Sequence, residues 1–321
     1  MTDTTRSKRY RMVSKYYKET YGEKVYKLPV ALPLTCPNRD GSAGVGGCTF
    51  CGEIGAGYEN RPAWMTVRMQ LEENIAHIGP KYKAKKFIPY YQNFSNTYLN
   101  LDDFKSYIEQ GCIDEAVGIA IATRPDCIAD EYLEILADIR KRFQKDIYIE
   151  LGLQTVNYET LEKINRGHDL AQFIDAVLRI KRYGFNITTH MIVNLPWDTM
   201  KDTIEGARIL SALGVDQVKL HALYIVKNTL MAKWYQEGQF TLISAEEYAD
   251  RVVNFVRHLH PDIVLQRLVG RAPEDNTLFT NWSMGWWRVQ DLIDDKLDEL
   301  DAHQGDLCDY LNGKAVRKFI D

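Results

Sequence analysis

Short apolar runs rich in β-branched and aromatic residues alternate with amphipathic segments through most of this 321-residue chain. Strands that alternate with helices along a sequence build βα units around a parallel sheet. Several of the runs show little alternation of polar and apolar residues, as expected for strands that are covered on both faces. The sequence therefore predicts an α/β fold, a partial (open) TIM-type βα barrel of six to seven parallel strands, with a doubly wound sheet as the alternative. The predicted strands lie at residues 25–34, 87–92, 116–122, 147–153, 187–193, 217–223 and 263–268.

Two flanking segments fall outside this alternation. We therefore expect three parts: a basic N-terminal extension (1–24), the barrel (25–270) and a C-terminal capping extension (271–321). The first extension mixes Arg and Lys with tyrosines, a combination suited to phosphate pairing and base stacking. A solvated helix that covers one end of the barrel is the alternative interpretation. The tryptophans of the last segment are expected to pack over the barrel.

The chain is slightly acidic overall, with a formal net charge of −4 at pH 7. Any contact with nucleic acid must therefore come from a local basic patch rather than from the surface as a whole. No run approaches the roughly 18 apolar residues of a membrane span, and the N-terminal residues lack the apolar core of a signal peptide. These patterns predict a cytoplasmic protein with no membrane partner. In that reducing compartment, clustered cysteines more often bind metal or do redox chemistry than form disulfides.

The stretch CPNRDGSAGVGGCTFCG, residues 36–52, places three of the six cysteines in one glycine-rich loop. The loop follows the first predicted strand directly, and barrel folds keep their active sites at this end of the strands. A structural zinc site needs four closed ligands, whereas this loop offers one C-x2-C pair and one more distant cysteine. A [4Fe–4S] cluster held by only three thiolates leaves one iron free to bind a small molecule. The spacing favours such an open cluster on Cys36, Cys48 and Cys51, and a zinc site or a loop without metal remain alternatives.

Further motifs accompany this loop along almost the whole chain. They include YYQNFSNTY (90–98), IATRPDC (121–127), ELGLQT (150–155), INRGHD (164–169) and HMIVNLPWDT (190–199). Together with the C-x11-C-x2-C spacing, in which Phe50 precedes the last cysteine, they resemble the radical S-adenosylmethionine (SAM) enzymes. The specific likeness is to the YhcC/YtqA-like group, which is related to the radical domain of the Elongator catalytic subunit.

The resemblance implies an enzyme that holds a [4Fe–4S] cluster on Cys36, Cys48 and Cys51 and binds SAM at the free iron. In that family an electron from the cluster cleaves SAM to methionine and a 5′-deoxyadenosyl radical that abstracts hydrogen. A flavodoxin- or ferredoxin-type partner is expected to supply the electron. The protein itself positions and shields these reactive groups.

The resemblance also implies residues that contact SAM, nearly all at the carboxyl ends of predicted strands. Amide and hydroxyl oxygens can accept from the SAM ammonium, a carboxylate or amide can bind its ribose or methionine end, and an Arg can grip its carboxylate. The alternatives are a polar turn after the second strand, internal ion pairs for the Glu and the Arg, and a satisfied core group for the His. The predicted SAM-binding residues are Gln92, Asn96, Thr97, Glu150, Gln154, Arg166, His190 and Asn194.

The resemblance to the Elongator radical domain, which acts on the wobble uridine of tRNA, suggests an RNA partner. Two basic segments, 6–21 and 80–86, are predicted to pair with its phosphates. The hypothesis is that the enzyme modifies a wobble uridine side chain, for example by remodelling a carboxymethylaminomethyl group whose C–H bond lies beside nitrogen and carboxylate. A small-molecule or peptide substrate is one alternative, and a zinc-stabilised RNA-binding module without catalysis is another.

Overall fold

The computed structural model describes residues 8–53, 55, 57, 59–270 and 274–320. Helices and strands alternate through most of the chain up to residue 267, as predicted, with two pairs of successive helices and one pair of successive strands as exceptions. The strands are β1 (Val25–Val30), β2 (Lys86–Tyr91), β3 (Gly118–Thr123), β4 (Asp146–Gln154), β5 (Asn186–Ile192), β6 (Gln217–His221), β7 (Ile225–Val226), β8 (Val264–Arg267) and β9 (Thr277–Phe279). The α-helices are α1 (Val13–Tyr21), α2 (Val67–Tyr82), α3 (Leu101–Gln110), α4 (Asp130–Phe143), α5 (Tyr158–Lys163), α6 (Leu170–Arg182), α7 (Met200–Leu213), α8 (Leu230–Gln236), α9 (Ala245–His258) and α10 (Trp286–Glu299). Among the described helices, none has the length and apolar character needed to cross a membrane.

Seven strands form one parallel sheet in the order β1-β2-β3-β4-β5-β6-β8. Strands that follow one another are neighbours, so the order does not reverse as it does in a doubly wound sheet. β1 and β8 are the two edges, and Lys27 of β1 hydrogen-bonds Gln266 of β8 across the interior (3.0 Å). The sheet is therefore curved into a half-barrel whose edge strands do not pair, and the prediction of a partial barrel is confirmed.

Both faces of the sheet are covered, which explains the weak polar alternation of its strands. On the outer face, Ile119, Ile149 and Ile187 are fully buried in the main hydrophobic core beneath the helices. On the inner face, Tyr148 packs in a smaller cluster with Tyr17 from α1. The upper part of the inner face, nearer the carboxyl ends of the strands, carries the polar residues of the candidate site.

The N-terminal extension covers the gap between the two sheet edges. Met12 forms a parallel bridge with Leu265 of β8, and α1 contacts both β1 and β8. Tyr21 donates through its hydroxyl to the carboxylate of Asp146 at the start of β4 (2.6 Å). The helix therefore lies at the amino ends of the strands, in agreement with the alternative of a helix that covers one end of the barrel.

The basic residues of this extension are paired with the acidic helix α10. Lys8 forms an ion pair with Asp294, and Arg9 binds Asp298 and, at 2.8 Å, Asp301. Guanidinium and ammonium groups that are neutralised in this way are not free to pair with phosphates. Lys8 and Arg9 are engaged within the chain, the RNA contact of this segment stays a prediction, and Arg6 lies outside the described residues.

The second basic segment, residues 80–86, spans the end of α2 and the first residue of β2. It therefore lies at the amino edge of the sheet, as the N-terminal extension does. The loop after β1 lies at the carboxyl edge. Both basic segments are thus at the opposite end of the strands from the three cysteines, because the half-barrel separates the two edges.

The loops that follow the strands near the site lead into capped helices. The side chain of Asn157 accepts from the N–H of Thr160 at the start of α5. Asp169 and Gln172 form a capping box at the start of α6. Such caps satisfy backbone N–H groups that have no partner inside the helix and fix where the chain turns into it. The segment between β4 and α6 therefore has a defined path next to the cysteine loop.

The C-terminal segment packs on the outside of the half-barrel. β9 pairs with β7 in an antiparallel arrangement, and α10 packs along α9. The ring of Trp282 lies 5.0 Å from that of Tyr248 and donates through Nε1 to the carbonyl of Ile243 (2.7 Å). This segment is thus held by an aromatic contact and by the ion pairs with the N-terminal extension.

Candidate active site

The cysteine loop begins where β1 ends and is tied to the segment after β4. Of its three cysteines, Cys48 is buried and the other two are half-buried. The N–H of Thr49 donates to the carbonyl of Ile164 (3.0 Å). Gly47 has a φ of +77°, a left-handed conformation that glycine adopts freely, so the chain turns directly before Cys48. The loop is therefore held over the ends of β1 and β4 together.

Each cysteine sulfur lies near a guanidinium. A cation beside a thiol favours the thiolate, which is the form that binds metal. Burial raises the pKa of the Cys51 thiol, and the neighbouring Arg39 opposes that rise. In the described part of the chain, no three side chains of His, Cys, Asp or Glu surround a common point closely enough to hold one metal ion. The sulfur–nitrogen pairs are Cys36 with Arg124 (3.9 Å), Cys48 with Arg166 (3.3 Å) and Cys51 with Arg39 (3.3 Å).

Arg124 is fixed by a carboxylate just after β3. Its guanidinium donates to both oxygens of Asp126 (2.9 and 2.6 Å), and the residue is only 2% exposed. Bidentate pairing of this kind holds a guanidinium in one plane. Arg124 thus forms an internal ion pair, with one remaining nitrogen turned toward Cys36.

The three residues predicted to contact SAM after β2 have different surroundings. Asn96 lies within hydrogen-bonding distance, through Nδ2, of the carbonyls of Tyr91, Asn93 and Ala122, while its Oδ1 is buried with no partner among the described residues. Thr97 Oγ1 lies 2.6 Å from Thr123 Oγ1 and donates to the carbonyl of Cys127 (2.5 Å). Gln92 is half-buried at the strand end. Asn96 therefore keeps a buried acceptor for a ligand, whereas the hydroxyl of Thr97 is engaged.

Arg166, Gly152 and Gln154 meet at the end of β4. Arg166 donates to the carbonyl of Gly152 (2.7 Å) and to Cys48 Sγ, so it links the strand to the cysteine loop. A Cβ at position 152 would lie 2.7 Å from Arg166 Nη2 and 2.9 Å from Gln154 Nε2, which is too close for any side chain. Gln154 has a φ of +78°, a strained conformation for a residue other than glycine. This irregular strand end therefore brings Gln154 and Arg166 together at Gly152, and Arg166 in turn contacts Cys48.

Glu150 lies in the middle of β4 rather than at its end, and its carboxylate is fully buried. One oxygen is paired with Lys27 of β1, and the other accepts from His190 Nε2 (2.7 Å) and lies 3.4 Å from Lys219 Nζ. Burial alone would raise the pKa of Glu150, but Lys219, Lys27 and His190 together hold it well below its usual range. Both oxygens of Glu150 are thus used within the barrel, and its contact with SAM stays a prediction.

His190 belongs to the same network, and its contact with SAM likewise stays a prediction. Its ring stacks on that of His221, with centroids 5.3 Å apart, and its Nε2 binds Glu150. Burial, followed by the charge of Lys219, lowers the pKa of His190 to about 4, so the ring is neutral near pH 7. It is a satisfied group of the barrel interior, which is the alternative that the sequence left open.

Asn194 follows β5 and holds the neighbouring strand end in place. Its Oδ1 accepts from the N–H of Leu223 (2.6 Å), and its Nδ2 is buried with no partner among the described residues. A buried amide donor that lacks an acceptor is costly unless a ligand or water supplies one. Asn194 therefore remains suited to bind an oxygen of a ligand at the mouth of the barrel.

Arg39 and Lys27 belong to the site but are absent from the residues predicted on sequence. Arg39 contacts Cys51. It lies within the cysteine loop, and this closeness in sequence to the cysteines could have identified it. Lys27 lies on an apolar strand, where a charged residue is unusual unless it is paired. Its partner, Glu150, is 123 residues away, so only the folded sheet brings the two together.

Two family models match the chain. The model described as Radical SAM superfamily matches residues 37–210, which is more than half of the chain. The model described as Radical_SAM C-terminal domain matches residues 215–299. The resemblance predicted from the cysteine spacing and the accompanying motifs is thereby confirmed.

Individual proteins agree with these matches. The Uncharacterized protein YtqA of Bacillus subtilis is 33% identical over 312 residues, which are 96% of each chain. The tRNA uridine(34) acetyltransferase of Dehalococcoides mccartyi is 23% identical over 145 residues, which are 44% of this chain and 30% of its own. The solved structure of Methanocaldococcus infernus Elp3 with an N-terminal deletion matches with a TM-score of 0.64 at 14% identity, over 87% of this chain and 64% of that one. At that identity the structural likeness shows the shared fold.

Proposed function

The chain belongs to the radical SAM superfamily, and from this premise we propose that Cys36, Cys48 and Cys51 hold its [4Fe–4S] cluster. The position of the loop at the carboxyl ends of the strands and the guanidinium beside each sulfur support this assignment. When bound, the cluster and SAM supply the electron and the 5′-deoxyadenosyl radical for hydrogen abstraction. The protein holds SAM and excludes water from the radical. A flavodoxin- or ferredoxin-type protein is the proposed electron donor.

The SAM-binding residues are proposed from the same geometry. Asn96 Oδ1 and Asn194 Nδ2 are buried atoms that need a partner, so they suit the ammonium and an oxygen of SAM respectively. Gln154 is held beside the cysteine loop by the irregular end of β4. Arg166 acts as a positioning residue, because its guanidinium is already bound to Gly152 and Cys48. Gln92 stays a proposed contact on the turn after β2.

The variant Gly152→Ala is expected to weaken SAM binding about tenfold or more without unfolding the protein. The added methyl group displaces the Arg166 guanidinium, and a hydrogen bond between charged groups of about 1.5–3 kcal/mol is lost at Cys48. Equilibrium binding of SAM to the reconstituted protein measures the effect. Gly79→Ala is the matched control, since a Cβ there would meet no atom closer than 3.5 Å. Equal SAM affinity in both variants would show that Arg166 does not position the site.

For the substrate, the side chain of a wobble uridine in tRNA is proposed. The observation that carries this proposal is the likeness to a protein named tRNA uridine(34) acetyltransferase, and the fold shared with Elp3 is consistent with it. Abstraction of hydrogen from a carboxymethylaminomethyl group would break a C–H bond that the adjacent nitrogen and carboxylate activate. The proposed reaction is therefore a remodelling of this group, with tRNA as the macromolecular partner.

The test compares tRNA from a strain that lacks the gene with tRNA from its parent. Digestion to nucleosides and mass spectrometry are expected to show a precursor wobble nucleoside that accumulates only in the deletion strain. Purified enzyme should release more 5′-deoxyadenosine with tRNA from the deletion strain than with parental tRNA, which already carries the product. An unchanged nucleoside profile together with no stimulation by either tRNA would reject the RNA substrate and leave the radical chemistry in place. A small molecule or a peptide would then be the substrate to seek.

A further inference from the structure

The inner face of the half-barrel carries more positive charge than its carboxylates neutralise. Lys27, Lys219 and Arg267 are all built into contacts on this face. Among the described residues, the one carboxylate that pairs with any of the three is Glu150. Charge removed from water is costly unless an opposite charge and hydrogen bonds compensate it. Lys219 is buried, Lys27 and Arg267 are half-buried, and this cluster of cations therefore offers a place for an anion.

Glu150 has no capacity left for the third cation. One of its oxygens is taken by Lys27, and the other is shared by Lys219 and His190. Even so, Lys219 is only partly compensated. Burial lowers its pKa most strongly, Glu150 opposes the fall, and Arg267 and Lys27 add to it, so that the pKa is about 7. Burial, the largest of these causes, thus outweighs the compensation that Glu150 gives to the Lys219 ammonium.

Arg267 is the cation without a carboxylate. Its Nη2 lies 2.6 Å from Nδ1 of His221, and its Nε is buried with no partner among the described residues. A guanidinium can only donate, so the His221 nitrogen accepts and its ring is neutral. Burial and the charge of Arg267 both lower the pKa of His221, in agreement with this arrangement. The guanidinium thus has donors that a second acceptor can use.

The position of Arg267 places these donors close to the proposed SAM site. In the sheet register, Arg267 of β8 lies beside Lys219, Lys219 beside His190, and His190 beside Gly152. The carbonyl of Gly152 in turn holds Arg166, which contacts Cys48. On the β4 side of this layer, the place of a side chain at Gly152 is taken by Arg166 and Gln154. A group bound at Arg267 would therefore lie inside the barrel, below the cysteine loop.

We propose that Arg267 and Lys219 form a subsite for an oxyanion of the substrate, a carboxylate or a phosphate group, which the bound substrate presents to the barrel interior. The planar fork of Arg267 can hold two oxygens of such a group, and Lys219 adds a point charge beside it. The subsite would anchor one end of the substrate so that a neighbouring C–H bond faces the SAM site. This inference rests on the proposed function, which identifies the SAM site. The chemical class that it gives to the substrate, an oxyanion, does not depend on the substrate being tRNA.

The test measures binding of two probes, sodium acetate and sodium phosphate, to the reconstituted full-length protein. Thermal unfolding is followed at pH 7, with sodium chloride at equal ionic strength as the reference. Phosphate also stabilises proteins because it is excluded from their surface. For each probe, the rise in the unfolding midpoint of the wild type is therefore compared with the rise in the variant Arg267→Gln. The wild-type midpoint is expected to rise by about 2 °C more than that of the variant in at least one probe. Arg288→Gln is the matched control, because Arg288 is an exposed residue of α10 and its loss should leave the rise unchanged.

If the unfolding midpoint rises in acetate alone, the substrate group bound at the subsite is a carboxylate. If it rises in phosphate alone, that group is a phosphate. Equal rises in wild type and Arg267→Gln would overturn the subsite, as would no rise above chloride in either probe. Arg267→Lys, which keeps the charge and removes the fork, serves if Arg267→Gln does not fold. For Arg267→Lys, the rise in the unfolding midpoint above that in sodium chloride should be at most half of the wild-type rise. A rise as large as that of the wild type would also count against the subsite. Neither probe requires tRNA or SAM cleavage, so this result and the nucleoside analysis can fail separately.

Discussion

Replacement of Cys36, Cys48 or Cys51 by Ala is expected to abolish iron binding and SAM cleavage together. Each thiolate of a three-cysteine cluster binds a different iron, so the loss of one leaves a second iron exposed and the cluster unstable. The guanidinium that faces each sulfur would also lose its anionic partner. Iron and sulfide analysis after anaerobic reconstitution, with chromatography of 5′-deoxyadenosine under reducing conditions, measures both losses. The expected fall in product is to the level of protein-free controls.

Two other cysteines provide the controls for this experiment. Cys112 is half-buried after α3, where burial raises its pKa to about 11, and Cys308 lies near the C-terminus. Cys112→Ala and Cys308→Ala should keep the full iron content and activity. If a variant in the cysteine loop retained four irons and cleaved SAM, the proposed ligand set would have to be abandoned. A colourless wild-type protein that contained one zinc would have the same consequence.

Glu150→Gln is expected to lower the free energy of unfolding by about 3–5 kcal/mol at pH 7, since it leaves buried ammonium groups without their counter-charge. Urea unfolding of wild type and variant measures the difference. Glu19→Gln is the control, because Glu19 pairs with Lys15 on the exposed side of α1 and such surface pairs contribute little. Similar small changes in both variants would mean that the ion network in the barrel does not stabilise the fold.

The pH dependence of this difference provides a second check. The lowered pKa of Glu150 means that its contribution to stability is present above its unfolded pKa and is lost as the pH falls through the folded value. Lys219 has a lowered pKa of about 7, so the unfolded chain binds its proton more tightly and stability rises as the pH increases from about 7 towards 10.5. At pH 9 the neutral Lys219 no longer needs Glu150. The difference in the free energy of unfolding between wild type and Glu150→Gln is therefore expected to become smaller from pH 7 to pH 9. A larger difference at pH 9 would contradict the assigned pairing.

The strand pattern and the cysteine spacing allowed the half-barrel and the cysteine loop to be predicted, because both depend on residues close together in sequence. The surroundings of Glu150 could not be predicted in the same way. β4 is mostly apolar on both sides of Glu150, and its pattern does not reveal that the strand continues to Gln154 beyond an irregularity at Gly152. The partner of Glu150 on β1 is determined by the curvature of the whole sheet, which no local pattern contains.

The same reasoning applies to the charged residues of the N-terminal extension. A cluster of Arg, Lys and Tyr is compatible with RNA binding and equally with pairing to an acidic helix. The sequence offers no distance information to decide between them. In the folded chain, Lys8 and Arg9 bind α10, and Tyr17 is buried on the inner face of the sheet. The composition therefore shows that this segment is basic and rich in tyrosine, but it does not show which residues the segment contacts.

The pairing of Lys8 with Asp294 joins residues 286 positions apart, which has a consequence for folding during synthesis. The N-terminal segment is synthesised well before β8 and α10, which follow it along the chain. Until they emerge, the strands from β1 onward have no second edge for α1 to bridge and no acidic helix to hold it. Unpaired strand edges promote association between chains, and contacts of such long sequence separation form slowly. The N-terminal segment can therefore take its final place only after β8 and α10 have been made.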